Sequence, residues 1–477
     1  MRKSPHAFAF TVCVGLACAN LVRVDMAAAL LVTGLLGGCA LLFSAPSRCA
    51  ATAFALYLAA WSWGSARLDS LDRSVLASRI GTAERARVVV TAPSRRGRFD
   101  IRVPATVSTW GDAHVREAVL LKLPRGRAPP QGAVLELVGV LAAPSQFEKG
   151  QLRRHGVHVV LRSTTWHVVG RRGGLGGIAD RVRARLASSV AVGLGGEREA
   201  LLHGIVLGDD SGLSDELRAR FRASGLYHLL AVSGQNVALV AGGVLLLGWV
   251  AGVPRLVAEV GALAAIVLYV LAVGAQPSVV RAGVAGALGS LAWLTARARD
   301  RWYFLLLGAI VLLGWNPYTL LDPGFELSFA AVVAIFVLAP RVRRLLEGYP
   351  MPAWVRDVAA LSAACGLATA PIAWTHFHAL ALLTIPANAL AAPAVAPLLG
   401  LALATAAVAP ISSGAAGSLA WINGWCAAYL AACARIVGGL PGAQIRSTRA
   451  LLVVVAGALL VAAYALPRWR RSSTPST

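Results

Sequence analysis

Three apolar runs open the chain, roughly 7–22, 26–44 and 49–65, each near the length a helix needs to cross a bilayer. Hydropathy then collapses. From about 79 to 172 the pattern turns to short alternating runs, RARVVVTAP, FDIRVPATVSTW, HVREAVLLKLP, AVLELVGVLAAP and GVHVVLRSTTWHVVG, separated by Gly, Pro and Arg clusters. Five short strands with turn punctuation predict a small, OB-like barrel. A GGLGG linker (Gly173–Gly177) and an amphipathic region to Gly225 follow, with Arg181, Arg183, Arg185, Arg218, Arg220 and Arg222 along helical faces. Long apolar runs fill the rest, at about 227–252, 256–275, 279–296, 302–321, 325–340, 354–374, 379–410, 416–438 and 450–466. The expected fold class is a polytopic α-helical membrane protein with an inserted all-β extramembrane domain. Its expected segments are 1–66, N-terminal spans; 67–177, barrel; 178–226, amphipathic helices; 227–467, spans; and 468–477, a disordered tail.

Four polar interruptions punctuate the membrane half: Ser233–Asn236 (SGQN), Gly274–Arg281 (GAQPSVVR), Asp322–Phe329 (DPGFELSF) and Pro386–Asn388 (PAN). The first is expected inside a membrane helix. Hydrocarbon cannot hydrogen-bond a backbone or an amide, so such groups survive only against protein or a wet cavity, and broken helices expose free N–H and C=O groups at mid-depth. Arg281 and Glu326 are the costly residues, for which an ion pair with each other and a substrate role stand as equal alternatives. Pro386, Asn388, Pro393 and Pro397 predict a broken or re-entrant element in 379–410.

Composition agrees with the membrane class: of 477 residues 57% are hydrophobic and 14% charged, with mean hydropathy +0.66. The net charge is nonetheless +23, and only Lys3, Lys122 and Lys149 are lysine. Arg-rich surfaces suit phosphates, but positive-inside topology and genomic base composition explain Arg equally well. The barrel segment 79–172 holds 17 Lys and Arg against 6 acids, which fits a single-strand nucleic-acid platform or docking on anionic lipid headgroups. Seven cysteines sit in apolar segments without a CxxC pair, so neither a disulfide framework nor a metal site is expected. Arg2 and Lys3 begin what reads as a retained anchor. With them inside, three crossings put the barrel outside and leave Arg255, Arg297, Arg299, Arg301, Arg341, Arg343, Arg344 and the RWRR tail inside, provided 379–410 crosses an odd number of times.

LGDDSGLSDELRARFRASGLYHLLAVSGQNVALVAG resembles the core of the ComEC competence family, and GAQPSVVRAG, DPGFELSFAAV, ATAPIAWTHFHALALLTIPANALAAP and LPGA resemble its later blocks in the same order. QFEKGQLRRHGVHVVLR is similar to the close of that family's OB-like domain. The resemblance covers about 80–445. It implies an inner-membrane channel for single-stranded DNA in natural transformation, with Ser233, Gly234, Asn236, Pro277, Arg281, Asp322, Glu326 and Asn388 near the pathway. Gln235 and Gln276 lie in the same motifs. Many members read SGLHV where this chain has SGQNV, so Asn236 replaces a His. The family's usual metallo-β-lactamase-like domain has no counterpart expected here, since no HxHxDH cluster occurs; His376 and His378 lack the following Asp-His.

No cofactor and no enzymatic activity are expected. His228 and Ser233 stand about 140° apart on a helix and no GxSxG elbow occurs, while GRRGGLGG lacks the GK[ST] ending of a phosphate loop. Capture of DNA is expected at Arg95, Arg96, Arg98, Arg153 and Arg154, with stacking on Phe99, Trp110 or Trp166. Expected partners are single-stranded DNA, membrane lipids, a DNA receptor, a cytoplasmic ATPase motor, a separate nuclease and further copies of the chain, in the bacterial cytoplasmic membrane. The competing readings are a secondary transporter or exporter of a polyanionic or lipid-linked substrate, and a non-catalytic assembly scaffold.

Overall fold

The computed structural model describes residues 5–25, 32, 34, 45–97, 99–274, 276–294, 300–453 and 456; it is rich in helix, with one sheet domain near the N-terminus. The apolar run expected at 26–44, most of that at 450–466, Arg98 and the tail lie outside these residues. The first run forms α1 (Pro5–Cys18) and the third forms α2 (Ala45–Asp72). They run parallel, Gly15 against Ala60 and Gly64 against Ala19. A Cβ on Gly15 would collide with the Tyr57 carbonyl, so this glycine lets two backbones touch as small residues do between membrane helices.

The barrel has five long strands, β1 (Ala83–Val90), β3 (Asp100–Trp110), β4 (Ala113–Pro124), β5 (Ala133–Ala142) and β6 (Val160–Arg171), plus the two-residue β2 (Arg95–Arg96). Antiparallel pairings join β1 to β3, β3 to β4, β6 to β5 and β5 to β1; the parallel pairing of β4 with β6 closes the ring. Closure leaves no long edge to recruit foreign strands. Alternation fills the interior with Val88, Val103, Val107, Leu121, Leu135 and Leu161, while Glu136, Val138 and Val140 point outward. Trp110 was expected to offer a stacking face, and the structure corrects this. The pairing slips between Val107 and Thr109, which re-phases the strand and turns Trp110 fully into the core. Between β5 and β6 lies α3 (Gln146–Arg154), fastened to the sheet by Glu148, which pairs with Lys122 at 3.0 Å and Arg102 at 3.1 Å. Burial pushes the Glu148 carboxyl up, but hydrogen bonds from Lys122 and Ser145 outweigh it and hold it below its ordinary value.

Beyond the barrel come α4 (Gly174–Val190), α5 (Gly196–Leu207), α6 (Asp215–Ser224), α7 (Gly234–Val250), α8 (Arg255–Val273), α9 (Pro277–Leu294), α10 (Arg301–Trp315), α11 (Pro323–Val337), α12 (Ala339–Leu345), α13 (Ala353–Phe377), α14 (Thr384–Val408) and α15 (Ser413–Gly439). The expected GGLGG linker instead supplies the first turn of α4: Gly177 lets that turn press on the Arg172 carbonyl, and Arg172 pairs with Asp180. Among the described residues four helices are long and apolar enough to cross a membrane, Leu226–Val250, Arg255–Val273, Ala353–Phe377 and Thr384–Val408. The pair α11 and α12, bent by 48°, makes a fifth if it is one span. Pro340, just past the bend, explains it, since proline has no N–H to continue the helical ladder and its ring crowds the preceding turn. The break expected in 379–410 does not occur, because α14 runs continuously through Pro393 and Pro397. Those prolines stand four apart on one face, so the missing donors stay on one side of the helix.

The chain divides into two compact units, the first comprising 1–213, 229–326 and 398–424, the second 214–228, 327–397 and 425–477. In the second, Gly225 (φ 81°) turns tightly against Thr384, Gly438 presses on the Arg220 backbone, and β7 (Leu380–Ala381) pairs with β8 (Gln444–Ile445).

In the first unit the barrel is tied to the ends of α2 and α10 through one carboxylate. Asp72 accepts both prongs of the Arg153 fork, at 2.9 and 2.8 Å, together with Arg23 and the Tyr318 hydroxyl at 3.0 Å. Arg23 also holds Asp69 at 2.7 Å, and Arg67 donates to the Trp315 carbonyl at 3.0 Å. Burial alone would raise the Asp72 carboxyl; the Arg153, Arg23 and Tyr318 hydrogen bonds prevail and hold it well below the usual carboxylate range. A depressed carboxylate stabilises the fold above its unfolded pKa, and that contribution disappears as pH falls through the folded value. We predict that Asp72→Asn lowers the melting temperature of the detergent-solubilised full chain at pH 7 by an amount equivalent to about 3 kcal/mol. The same variant should flatten the acid limb of the stability curve; an acid limb identical to that of wild type would contradict the assignment.

Candidate functional site

The tetrad Ser233–Asn236 stands at the start of a helix rather than midway along it: Ser233 is the cap residue and Gly234–Asn236 form the first turn, which corrects the sequence reading in position. The chain leaves a 3-10 turn at Leu226–Leu229, extends through Ser233 (φ −104°, ψ 168°), and begins α7 at Gly234. Ser233 occupies the cap position without capping, since its hydroxyl donates to Asn236 Oδ1 at 3.1 Å. Asn236 is buried and faces protein: Nδ2 donates to the Ile205 carbonyl at 2.8 Å and meets the Tyr269 hydroxyl at 3.3 Å, while that hydroxyl donates to the Val206 carbonyl at 2.7 Å. Asn236 and Tyr269 thus satisfy carbonyls at the end of α5 that hydrocarbon would leave bare. Gln235 is exposed.

Arg183 completes this closure. It is buried, and Nη1 reaches the carbonyls of Leu207 at 3.2 Å, Ala272 at 3.0 Å and Val273 at 3.3 Å, so one guanidinium seals the C-terminal ends of α5 and α8. Burial lowers its pKa and the nearby Asp209 and Asp180 oppose that. Sequence reading placed Arg183 only among residues on an amphipathic face. The signal that singles it out is its position, flanked at two residues either side by the exposed Arg181 and Arg185, which puts it on the opposite face.

Beside these sealed C-termini, helix N-termini gather. Ser278 Oγ donates to the Val232 carbonyl at 2.8 Å, and a Cβ on Gly234 would lie 3.2 Å from Ala282, so the starts of α7 and α9 are in contact. The position of a Gly324 Cβ is 3.8 Å from Pro277, which brings in the start of α11. Asp322 caps that helix, its Oδ1 accepting from Gly324 N at 2.7 Å. Half-buried Arg281, one turn into α9, packs on Gly308 of α10, and Gln276 lies beside Gly208. Ser233, Gly234, Gln276, Pro277, Arg281, Asp322 and Glu326 therefore share the first unit, with the positive ends of three helix dipoles beside one guanidinium. Asn388 belongs to the second unit, where Nδ2 donates to Ser362 Oγ at 2.9 Å.

On the barrel, Arg95 and Arg96 are exposed on the short β2 hairpin, next to Phe99, which is 81% exposed. Phe147 on α3 is 98% exposed, and sequence reading passed over it. Arg98 is outside the described residues. Arg153 and Arg154 do not form a free basic pair: Arg153 holds Asp72, and Arg154 Nη1 donates to the Leu321 carbonyl at 2.8 Å. Trp166 is partly buried against the barrel core. Among the described residues no group of three or more His, Cys, Asp or Glu could hold a metal. His378 instead ends α13 in the left-handed conformation (φ 51°).

A sequence profile described as Competence protein matches residues 205–472, more than half of the chain. Over 196 residues the chain is 29% identical to ComE operon protein 3 of Bacillus subtilis (strain 168), a stretch covering 40% of this chain and 24% of that protein. Over 213 residues it is 27% identical to the Uncharacterized protein YcaI of Escherichia coli (strain K12), covering 41% of this chain and 27% of that protein. The matched stretches thus span about a quarter of either relative's length. No solved structure matches.

Removing the Asn236 amide strands the Ile205 carbonyl in a buried place. Asn236→Ala should therefore cost about 2 kcal/mol in chemical denaturation of the solubilised chain, with Tyr269→Phe costing less, about 1 kcal/mol. An Asn236→Ala variant as stable as wild type would show that the amide closes nothing.

Proposed function

The chain belongs to the Competence protein family, and from that premise we propose that it conducts single-stranded DNA across a membrane during natural transformation. The observation that carries the reading is the convergence of the N-termini of α7, α9 and α11 beside Arg281. Each helix start presents about half a positive charge, so the cluster attracts phosphate without placing several full charges at membrane depth. Asp322 and Glu326 stand at the same helix start and temper the attraction. A conduit needs that balance, since a phosphate held too tightly would not move on.

The barrel supplies capture in this proposal. Its pairing order, in which the first strand joins the second and fourth and the third joins the last in parallel, supports an OB-like assignment. Arg95 and Arg96 contact phosphate, and exposed Phe99 and Phe147 offer ring faces to unpaired bases. Arg153 and Arg154, engaged with Asp72 and Leu321, serve the attachment of the barrel rather than capture. The cell membrane of a bacterium, with the barrel on its outer side, is the setting this role requires. The name ComE operon protein 3 accords with a competence role. No chemical step is assigned to the chain. Translocation takes its driving force from a separate motor or, in a reconstituted bilayer, from an applied voltage.

Planar bilayers holding the full-length protein test the conduit. Voltage-driven passage of oligo-dT should occur with wild type and fall about tenfold, equivalent to about 1.4 kcal/mol, in Arg281→Ala. Bilayers that pass no oligo-dT would end the channel reading. Capture has its own signature: Arg95→Ala with Arg96→Ala should flatten the salt dependence of oligo-dT binding by about 1.4 units of log–log slope, near 0.7 per lost phosphate contact. An unchanged slope would remove these two residues from the capture surface.

A further inference from the structure

One residue of the barrel domain grips both ends of the turn that launches α11. The Asn316 side chain donates to the Arg154 carbonyl at 2.8 Å, and the Arg154 guanidinium donates to the Leu321 carbonyl at 2.8 Å. Between those two contacts lies the 3-10 turn Pro317–Leu321, whose next residue, Asp322, caps α11 through Gly324 N. The turn is braced from other directions as well. Asn20 donates to the Pro317 carbonyl at 3.0 Å, Asn316 Oδ1 caps Tyr318 N at 3.0 Å, and the Tyr318 hydroxyl reaches Asp72.

Arg154 is itself held from the barrel. Glu148, two helical turns earlier on α3, is fixed by Lys122 and Arg102 on the sheet, and neighbouring Arg153 is fixed by Asp72. A run of ion pairs and hydrogen bonds therefore leads from the strands β3 and β4 to Glu148, along α3 to Arg154 and on to Leu321, and from there to the capped start of α11. Every link lies in the first unit. Hydrogen bonds to a main-chain carbonyl at the residue before a cap fix where the helix begins, and hence where its dipole end points.

We propose that Arg154 and Asn316 are positioning residues for the conduit: they set the α11 start against Pro277 and so couple the capture domain to the phosphate-attracting cluster. The inference rests on the channel reading for its functional consequence. Its geometric content does not depend on that reading. Arg154 touches no DNA in this scheme; it acts through Leu321 and Asp322. The arrangement also explains why two adjacent arginines are tethered while Arg95 and Arg96 of the same domain remain exposed.

The test uses the full-length protein in planar bilayers and, in parallel, in nanodiscs for hydrogen exchange, with oligo-dT as probe. Arg154→Ala should leave oligo-dT affinity within about twofold of wild type while slowing voltage-driven passage about tenfold, the split expected of an oriented group that does not bind the ligand. In the same variant the amides of Gly324, Phe325 and Glu326 should exchange about tenfold faster without any oligonucleotide present. Arg154→Lys, which still offers a donor to the Leu321 carbonyl, should recover most of both. Asn316→Ala, which loses the other grip, provides a second variant should Arg154→Ala fail to fold. Equal loss of affinity and passage would make Arg154 a DNA contact and overturn the proposal; unchanged passage or unchanged exchange at Gly324–Glu326 would overturn it too. Wild-type protein that neither binds nor passes oligo-dT would instead defeat the channel reading, and the exchange measurement would still decide whether Arg154 and Asn316 position α11.

Discussion

Helix ends inside this fold carry backbone groups that hydrocarbon cannot satisfy, and the first unit is organised by how those groups are met. Each α-helix leaves four N–H groups and four carbonyls without internal partners. Here the carbonyl ends of α5 and α8 are closed by Arg183, Asn236 and Tyr269, drawn from three different helices. Those three side chains are thereby engaged with main-chain carbonyls. The amino ends of α7, α9 and α11 are treated differently, with a serine whose side chain does not cap, a proline that removes one of the first-turn donors and an aspartate whose side chain caps the Gly324 amide. That asymmetry sets carbonyl ends closed by side chains directly beside amide ends that are not closed in the same way, which is the feature the proposed conduit draws on.

The same asymmetry separates what the residue pattern revealed from what it hid. Strand alternation bounded by Gly and Pro made the barrel readable, because a half-buried strand writes its inward face into every second residue. Trp110 escaped, since the slip between Val107 and Thr109 moves the inward phase from odd to even positions and nothing in the local sequence marks it. The polar interruptions at Ser233, Gln276 and Asp322 were visible as breaks in hydropathy, but whether each lay inside a helix or at its start depends on partners over 20 residues away, such as Ile205 for Asn236. The prolines of α14 misled for a related reason. A lone chain reads proline as a break, whereas two prolines on one face leave the opposite ladder of hydrogen bonds whole.

Charge was the least legible signal. Arg95, Arg96, Arg153 and Arg154 look alike in a basic segment, yet the structure divides them by whether a carboxylate or carbonyl lies within reach. The partners that divide them are far along the chain: Asp72 stands 81 residues before Arg153, and Leu321 stands 167 residues after Arg154. Asn316 and Tyr318 carry a local hint, because Asn-Pro marks a turn. That the turn would be held by a barrel residue could come only from the fold.

This division also bears on how the molecule responds to ions. Exposed guanidiniums act on phosphate through water, where screening at ordinary ionic strength reaches to about 10 Å, so their pull on DNA weakens as salt rises. The Asp72 node differs in kind, because its carboxylate is only 13% exposed and is met by a two-pronged fork at 2.9 and 2.8 Å, distances far inside that length. In the proposed role, salt that releases a bound strand from Arg95 and Arg96 therefore leaves the barrel seated on α2 and on the turn before α11. On the proposed reading, capture is reversible while the scaffold that aims the strand stays fixed; burial and geometry supply the difference, within a single class of side chain.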